Sequence, residues 1–143
     1  MPWLFDTDAI SELLKKRPTQ LYVEWLAAIP RAEQFTSAVV IGELYRGAYR
    51  SPESQRHLEN IVPRVLPAVT VLPFDTAVAK KFGEISAALQ GKGQPLADAD
   101  LAIAATALHH GLDLVTGNVR HYRRILDLRI ERILVEARAG STG

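Results

Sequence analysis

The sequence predicts an α/β fold in which helices cover both faces of a mainly parallel sheet. Two observations support this prediction. Short apolar and β-branched segments, such as PWLF at 2–5 and AVTVLPF at 68–74, alternate with longer segments of helical periodicity. The chain has 143 residues, the usual size of one domain, and its 48% hydrophobic and 23% charged residues are ordinary for a globular protein. Strands that alternate with helices typically form parallel sheets buried on both faces.

The first half of the chain contains six predicted elements. Thr7 or Asp8 is the expected N-cap of the first helix, and Thr19 stands at the start of the second. Pro63 is expected to end the last helix of this half, because proline lacks a backbone donor. In chain order, the elements are a strand at 2–5, helices at 6–16 and 20–29, a strand at 34–40, and helices at 40–50 and 51–63.

The second half continues the alternation. Asp75 or Thr76 is the expected N-cap of its first helix, and Gly111 is the expected end of its second. In chain order, the elements are a strand at 68–74, a helix at 77–91, a flexible loop at 91–95, a helix at 98–110, a strand at 112–118 and a last strand within 129–137. We expect one domain over residues 1–135 and a flexible tail over 136–143.

Composition excludes several classes of site. The chain has no cysteine, which excludes disulfides, thiolate nucleophiles and zinc–cysteine sites. The formal net charge is +1, so a basic surface for nucleic acid would have to be a local patch. No signal-peptide pattern and no run of about 18 apolar residues is present. We therefore expect a cytoplasmic protein that does not enter a membrane.

Acidic residues stand near the carboxyl ends of the predicted strands, where parallel sheets usually bind their ligands. Asp6 ends the first strand, Glu43 lies in the helix after the second strand, and Asp100 opens the helix that leads into the fourth. Each has an ordinary alternative. Asp6 is equally suited to cap the helix that follows it, and a helical glutamate such as Glu43 is usually exposed.

The segment PLADADLAIAATALHHG at 95–111 begins a helix with two carboxylates, Asp98 and Asp100. The rest of this helix is apolar all round, so it must be buried. One aspartate can accept the unpaired backbone N–H groups at the helix start. Residues two apart do not share a helix face, so if Asp98 caps, Asp100 points into a site. A carboxylate there is costly unless it is paired or binds a metal.

Convergence of Asp6, Glu43 and Asp100 would favour a divalent cation. Three like charges within a few ångströms repel one another and raise their pKa values. Ligands that are all oxygen select a hard ion, Mg²⁺ or Mn²⁺. Such an ion can activate a bound water and stabilise charge on a phosphate. The acids therefore predict chemistry of the kind carried out by nucleases and phosphatases.

Three segments in this order resemble the PIN-domain ribonucleases, and more narrowly the VapC-type toxins of bacterial toxin–antitoxin pairs. They are LFDTDAI, TSAVVIGELYRGAYR and ADADLAIAATALHHGLDLVTGNVRHYRRI, within a likeness that covers about residues 2–135. The resemblance implies a three-layer α/β/α PIN-like domain with a mainly parallel central sheet. It also implies hydrolysis of RNA that depends on Mg²⁺ or Mn²⁺.

The resemblance places three acids of the family on Asp6, Glu43 and Asp100, and makes Asp98 a further candidate for the metal or for the helix cap. The fourth acidic position of the family falls on Asn118, which has a neutral oxygen, so action with one or with two metals stays open. Ser37 and Thr116 match hydroxyl positions that line such sites. Asp8 stands where toxins of this type often have asparagine.

A basic segment, NVRHYRR at 118–124, follows the last predicted acid position. Arg120, Arg123 and Tyr122 are candidates for contact with RNA, through phosphates and through stacking, and Arg46 and Arg50 could extend the patch. An exposed, solvated turn is the equally weighted alternative. The neighbouring histidines at 109 and 110 are expected to be structural, because they lie in the last turn of a helix whose first turn holds the acids.

The sequence as a whole predicts a metal-dependent endoribonuclease toxin. The resemblance implies a cognate antitoxin partner and a homodimer or a hetero-oligomer with the antitoxin. It also implies that the segments 20–29 and 57–66 contribute to a groove for the antitoxin. Core packing explains those two segments equally well. Three alternatives stay open: a catalytically silent module of the same fold that binds RNA or protein, a DNA nuclease, and a small-molecule phosphatase.

Overall fold

A computed structural model describes residues 2–140. Its five strands form one sheet in the order β3-β2-β1-β4-β5, and every neighbouring pair is parallel. The predicted α/β fold is therefore confirmed. The strands are β1 (Trp3–Phe5), β2 (Gln34–Ser37), β3 (Thr70–Leu72), β4 (Asp113–Val115) and β5 (Ile130–Glu131).

Eight α-helices connect and cover these strands within the described residues. Helix α5 packs against α6, α3 contacts both α1 and α6, and α2 packs against α8. With the sheet between its helices, the protein has the expected three-layer α/β/α arrangement. The helices are α1 (Thr7–Leu14), α2 (Gln20–Ala27), α3 (Ala38–Arg50), α4 (Ser54–Asn60), α5 (Thr76–Gly91), α6 (Asp98–His110), α7 (Val119–Tyr122) and α8 (Ile133–Gly140).

Strand β1 lies at the centre of the sheet and brings two distant segments to its sides. Leu4 pairs in register with Phe35 of β2 and with Leu114 of β4. Leu4 and Leu114 are fully buried, as expected for a parallel sheet that is covered on both faces. The residues that follow β1, β2 and β4 therefore lie at one edge of the sheet.

Side-chain caps decide where three of the helices begin. Asp6, and not Thr7 or Asp8 as predicted, is the N-cap of α1, because its own backbone is extended and its carboxylate accepts the Ala9 N–H. Ser37 caps α3 in the same way, so residues 38–40 belong to the helix and the prediction of a strand through residue 40 is wrong. Asp75 caps α5, as predicted.

Helix α6 is buried from Leu101 to Ala107, which agrees with its apolar sequence. It ends at Gly111, which has φ 66° and ψ 34°, a left-handed conformation that glycine adopts without a steric penalty. The prediction that Asp98 caps this helix is wrong. Ala97 holds the N-cap position without a side-chain hydrogen bond, and Asp98 is exposed.

Two further predictions need correction. Pro63 does not end a helix, because after α4 the chain continues in a wider π-helical turn over Ile61–Val65, closed by the Leu66 N–H on the Ile61 carbonyl. This wider spacing accommodates a residue that cannot donate. The segment 129–137 is strand only at β5, and the expected tail is helical over 136–140. Residues 141–143 lie outside the described residues.

The segments with a proposed antitoxin groove also contribute to the core. Tyr22 of α2 is fully buried and donates its hydroxyl to the Ala9 carbonyl at 3.0 Å. Ile61 and Val65 are buried as well.

None of the helices within residues 2–140 is long and apolar enough to cross a membrane.

Glu12 of α1 is a buried acid (1% exposed) that is fully compensated by its neighbours. Its carboxylate accepts from the Lys15 ammonium at 2.9 Å, from the Thr19 N–H at 3.0 Å and from the Arg138 guanidinium at 2.8 Å. Burial alone would raise the pKa of Glu12, but these hydrogen bonds outweigh burial and lower its pKa to about 2.

We expect Glu12→Gln to lower the free energy of unfolding at pH 7 by about 2 kcal/mol, since a charged acceptor of several donors is lost. The pKa of Glu12 falls from its ordinary 4.5 to about 2, so its ionised form stabilises the fold above pH 4.5 and loses this effect as the pH falls towards 2. Urea unfolding at a series of pH values measures this. Glu59→Gln, at an exposed position, is the control. An equally steep acid-induced loss of stability in Glu12→Gln would contradict the prediction.

Candidate active site

Asp6 lies at the end of β1, where its carboxylate is almost completely buried (4% exposed). One oxygen, Oδ1, accepts the Ala9 N–H at 2.8 Å, and the other, Oδ2, accepts the Thr116 hydroxyl. Burial raises the pKa of Asp6 to about 7, the two hydrogen bonds oppose this rise, and the charges of Asp8 and Asp100 add to it. Asp6 is therefore both a helix cap and a carboxyl group that is poised between its two charge states at neutral pH.

Thr116 joins the ends of β1 and β4. It is fully buried, and its hydroxyl oxygen accepts the Asn118 N–H at 2.9 Å while its O–H donates to Asp6. The Asn118 amide is 2.8 Å from the ring nitrogen Nδ1 of His121. The structure thus places Thr116 directly beside Asp6, and it places Asn118 next to Thr116.

Glu43 is held by a neighbour from another helix. Its Oε1 accepts the Thr7 hydroxyl at 2.5 Å, which ties α3 to the first residue of α1. Its Oε2 lies 3.7 Å from an Arg46 nitrogen, and 23% of the Glu43 side chain is exposed. Glu43 is therefore hydrogen-bonded to Thr7, the residue that follows Asp6. Part of its side chain is exposed to solvent.

Asp100 accepts the Tyr122 hydroxyl at 3.2 Å. Tyr122 is 1% exposed, so its ring is not available to an RNA base, and the prediction that it stacks on RNA is wrong. Burial raises the pKa of Tyr122, and the nearby charges of Asp6, Asp100 and Glu43 raise it further. One buried phenol thus has all three predicted acids among its electrostatic neighbours.

The other predicted residues lie around this centre. The Ser37 hydroxyl accepts the Val40 N–H at 3.1 Å and so serves its own helix. The histidines at 109 and 110 are exposed in the last turn of α6, far along the helix from Asp100, as expected. Asp98 is exposed at the start of the same helix.

The donor set fits a hard divalent cation. Among residues 2–140, no three histidine, cysteine, aspartate or glutamate side chains form a ready-made metal cage. Mg²⁺, however, usually retains several waters and binds only one or two carboxylates directly. The acids beside Tyr122 offer oxygen alone, and a buried carboxyl such as Asp6 would regain its charge beside a cation. Asp6, Glu43 and Asp100 could therefore hold Mg²⁺ or Mn²⁺, partly through water.

The four arginines that were predicted to contact RNA are exposed. They are Arg50, Arg120, Arg123 and Arg46, of which Arg46 lies 3.7 Å from Glu43. A cleft of about 390 Å³ opens beside Glu43 between α1, α3 and α4. The polar residues in its wall include Thr7, Ser11, Lys15, Arg56, His57 and Asn60.

Sequence reasoning missed three contacts of this site. Thr7 as the donor to Glu43, and Tyr122 as the donor to Asp100, join residues 36 and 22 positions apart. Asp8 accepts both terminal nitrogens of Arg138, 130 positions away. The second aspartate of DTD at 6–8, Asp8, was visible in the sequence, but nothing in the local pattern indicates that Arg138 is its partner.

The family comparison matches residues 3–125 to the PIN domain. The chain belongs to the PIN-domain family. Similar PIN proteins include the toxin FitB of Neisseria gonorrhoeae, 33% identical with 79% of this chain and 85% of FitB covered. The ribonuclease VapC2 of Haemophilus influenzae is 29% identical, with coverage of 92% and 97%. The tRNA(fMet)-specific endonuclease VapC of Salmonella typhimurium is 30% identical, with coverage of 92% and 97%.

Solved structures agree with these relatives. FitAcB from Neisseria gonorrhoeae superposes on this PIN domain with a TM-score of 0.82 at 28% identity, covering 90% of this chain and 96% of the other. The DNA-bound VapBC complex from Salmonella typhimurium gives a TM-score of 0.80 at 30% identity, covering 92% and 97%. The resemblance to PIN-domain ribonucleases and VapC-type toxins is thereby confirmed.

We expect Asp6→Asn to be more stable than the wild type in EDTA at pH 8, by up to about 4 kcal/mol, because about three pKa units correspond to that free energy. The pKa of Asp6 is 3.8 in the unfolded chain and about 7 in the folded chain. Between these two pH values the unfolded chain has released a proton that the folded chain retains, so wild-type stability falls as the pH rises. Urea unfolding at pH 4 and pH 8 measures the difference, which should vanish at the lower pH. Asp127→Asn, at an exposed position, is the control. A variant less stable than the wild type at pH 8 would contradict the assigned burial of charge.

Proposed function

We propose that this protein is a metal-dependent endoribonuclease toxin that a cognate antitoxin neutralises. The observation that carries this proposal is that the charges of Asp6, Glu43 and Asp100 all act on the buried Tyr122, whose hydroxyl donates to Asp100. Relatives named as ribonucleases and as a tRNA-specific endonuclease, each covering most of the chain, support RNA as the substrate. The cytoplasm, where RNA is found, is the location that this activity requires.

The proposed cofactor is Mg²⁺ or Mn²⁺, held by Asp6, Glu43 and Asp100, with the exposed Asp98 as a further candidate that would act through water. When bound, such a cation lowers the pKa of a coordinated water and stabilises negative charge on a phosphate. The neutral Asn118 at the fourth position would add an oxygen ligand without adding charge.

The protein's own residues contribute orientation. Ala9 and Thr116 fix the two oxygens of Asp6, and the Tyr122 hydroxyl fixes one oxygen of Asp100. Fixed carboxylates lose little freedom when a substrate phosphate arrives, which favours reaction. Asp6, whose pKa is raised only while no cation is near it, would be ionised when the cation is bound and would serve as a fixed oxygen ligand.

The proposed partner is a small antitoxin, and we infer a toxin dimer or a hetero-oligomer with it. Solved structures of FitAB and VapBC complexes, at 27% and 30% identity to this chain, support this proposal. Both complexes carry DNA fragments. RNA would meet the basic side chains at 120 and 123 and the cleft beside Glu43, where Lys15 and Arg56 could contact phosphates.

We expect purified protein, freed of any partner, to cut total cellular RNA into discrete fragments with Mg²⁺ or Mn²⁺ and not with EDTA. Asp100→Asn should lower the rate by about 100-fold or more, since it removes a charged group from the reacting centre. Gel analysis of the products, with a DNA substrate in parallel, measures both points. Asp127→Asn is the matched control. Absence of cleavage by folded, partner-free protein would favour a silent binding module, and release of inorganic phosphate from small esters would favour a phosphatase.

We expect the double substitution Arg120→Ala and Arg123→Ala to weaken binding of a single-stranded oligoribonucleotide. Each lost phosphate contact should reduce the slope of log affinity against log salt by about 0.7. Fluorescence anisotropy in the inactive Asp100→Asn background measures this slope without cleavage. Arg17→Ala combined with Arg132→Ala, two exposed arginines elsewhere, is the control for total charge. An unchanged slope would exclude 120 and 123 from the RNA contact.

A further inference from the structure

An ion pair joins the C-terminal helix to the first turn of α1. The Arg138 nitrogens Nη1 and Nη2 donate to Asp8 Oδ2 and Oδ1, each at 2.9 Å, so both carboxylate oxygens are engaged. The same guanidinium donates to Glu12 Oε1 at 3.1 and 2.8 Å. Hydrogen bonds to two acids raise the pKa of Arg138, and a two-point contact of this kind fixes the acid in orientation as well as in place.

This pair lies directly against the active site. Asp8 is two residues from Asp6, and its charge acts on the Asp6 carboxyl. A Cβ atom added at Gly117 would overlap Asp8 Oδ2 and the Arg138 guanidinium. Since Gly117 stands between Thr116 and Asn118, the ion pair packs on the backbone of the loop that carries both supporting residues. A side chain at position 117 would therefore displace the ion pair from its present position.

The position of Asp8 creates a problem that Arg138 solves. Asp8 is a fourth carboxylate on the side of the sheet that already holds Asp6, Glu43 and Asp100. Without a partner, its charge would be repelled by Asp6, and its side chain would be able to turn towards a cation bound at the site. With both oxygens held by Arg138, its charge is paired and its carboxylate is held in place.

We propose that Arg138 is a positioning residue of the active site. It neutralises the charge of Asp8 and keeps the Asp8 carboxylate away from the acids that would hold the metal. The inference rests on the proposed function for its catalytic part. Arg138 lies beyond residues 3–125, the segment matched to the PIN domain. A purely structural role, in which Arg138 only fastens α8 to the domain, is the alternative.

A double-mutant cycle separates these two roles. Arg138→Gln removes the positive charge and releases Asp8, Asp8→Asn removes the charge that needs compensation, and the double variant removes both. Arg132→Gln, an exposed arginine just before α8, is the matched control. Arg138→Lys keeps the charge without the two-point geometry, and thermal melting in EDTA establishes that each variant is folded.

Two readouts are needed: the affinity for Mn²⁺ by calorimetry, and kcat for RNA cleavage. We expect Arg138→Gln to bind Mn²⁺ about threefold or more tightly, because a positive charge leaves and a carboxylate is released. The same variant should cleave RNA at least about tenfold more slowly, because the released carboxylate displaces the cation from its productive position. In the double variant, both values should return to those of Asp8→Asn alone, and Arg138→Lys should stay near the wild type in Mn²⁺ affinity.

Tighter metal binding together with slower cleavage is a combination that partial unfolding does not produce. Equal losses in Asp8→Asn, Arg138→Gln and the double variant, or an unchanged Mn²⁺ affinity in Arg138→Gln, would overturn the inference and leave a structural role. If no variant and no wild-type protein cleaves RNA, the proposed function fails, while the Mn²⁺ affinities still decide whether Arg138 restrains Asp8.

Discussion

The buried carboxyl group of Asp6 is the constraint on which the rest of the site depends. It accepts the Ala9 N–H in the first turn of α1 and the hydroxyl of Thr116 at the end of β4, so one side chain fixes a helix start and a strand end together. Burial raises the pKa of Asp6 to about 7, which means that its charge is costly in the protein alone. The cation that we propose at this site would relieve that cost.

The parallel sheet explains why distant acids meet at this place. With β1 in the centre and β2 and β4 beside it, the residues that follow three strands come to one edge. Tyr122 is the buried residue that connects these acids. Its hydroxyl holds Asp100, and its buried ring lies within the electrostatic range of Asp6 and Glu43. The aromatic residue that the sequence suggested for RNA is thus a support for the carboxylates.

The five acids at and beside the site fall into two groups with different chemistry. Asp6, Glu43 and Asp100 are held mainly by hydroxyl and backbone donors, which orient a carboxylate without cancelling its charge. Asp8 and Glu12 share the guanidinium of Arg138, and Glu12 also binds Lys15, so their charges are compensated. This division leaves the first group available for the proposed metal ion, and it assigns α8 a place beside the site.

Local chemistry in the sequence determined the fold class and most element positions. Alternating periods of apolar residues, the cap at Asp75 and the stop at Gly111 act within a few positions of themselves, so they are legible without the structure. Tertiary structure alone decided the partners: Thr7 for Glu43, Tyr122 for Asp100 and Arg138 for Asp8 join residues that are far apart in the chain. It also made the expected tail a helix, because α8 becomes stable by packing on α2 and by its contacts to α1. Such contacts depend on how the sheet orders its strands, and no local pattern carries that information.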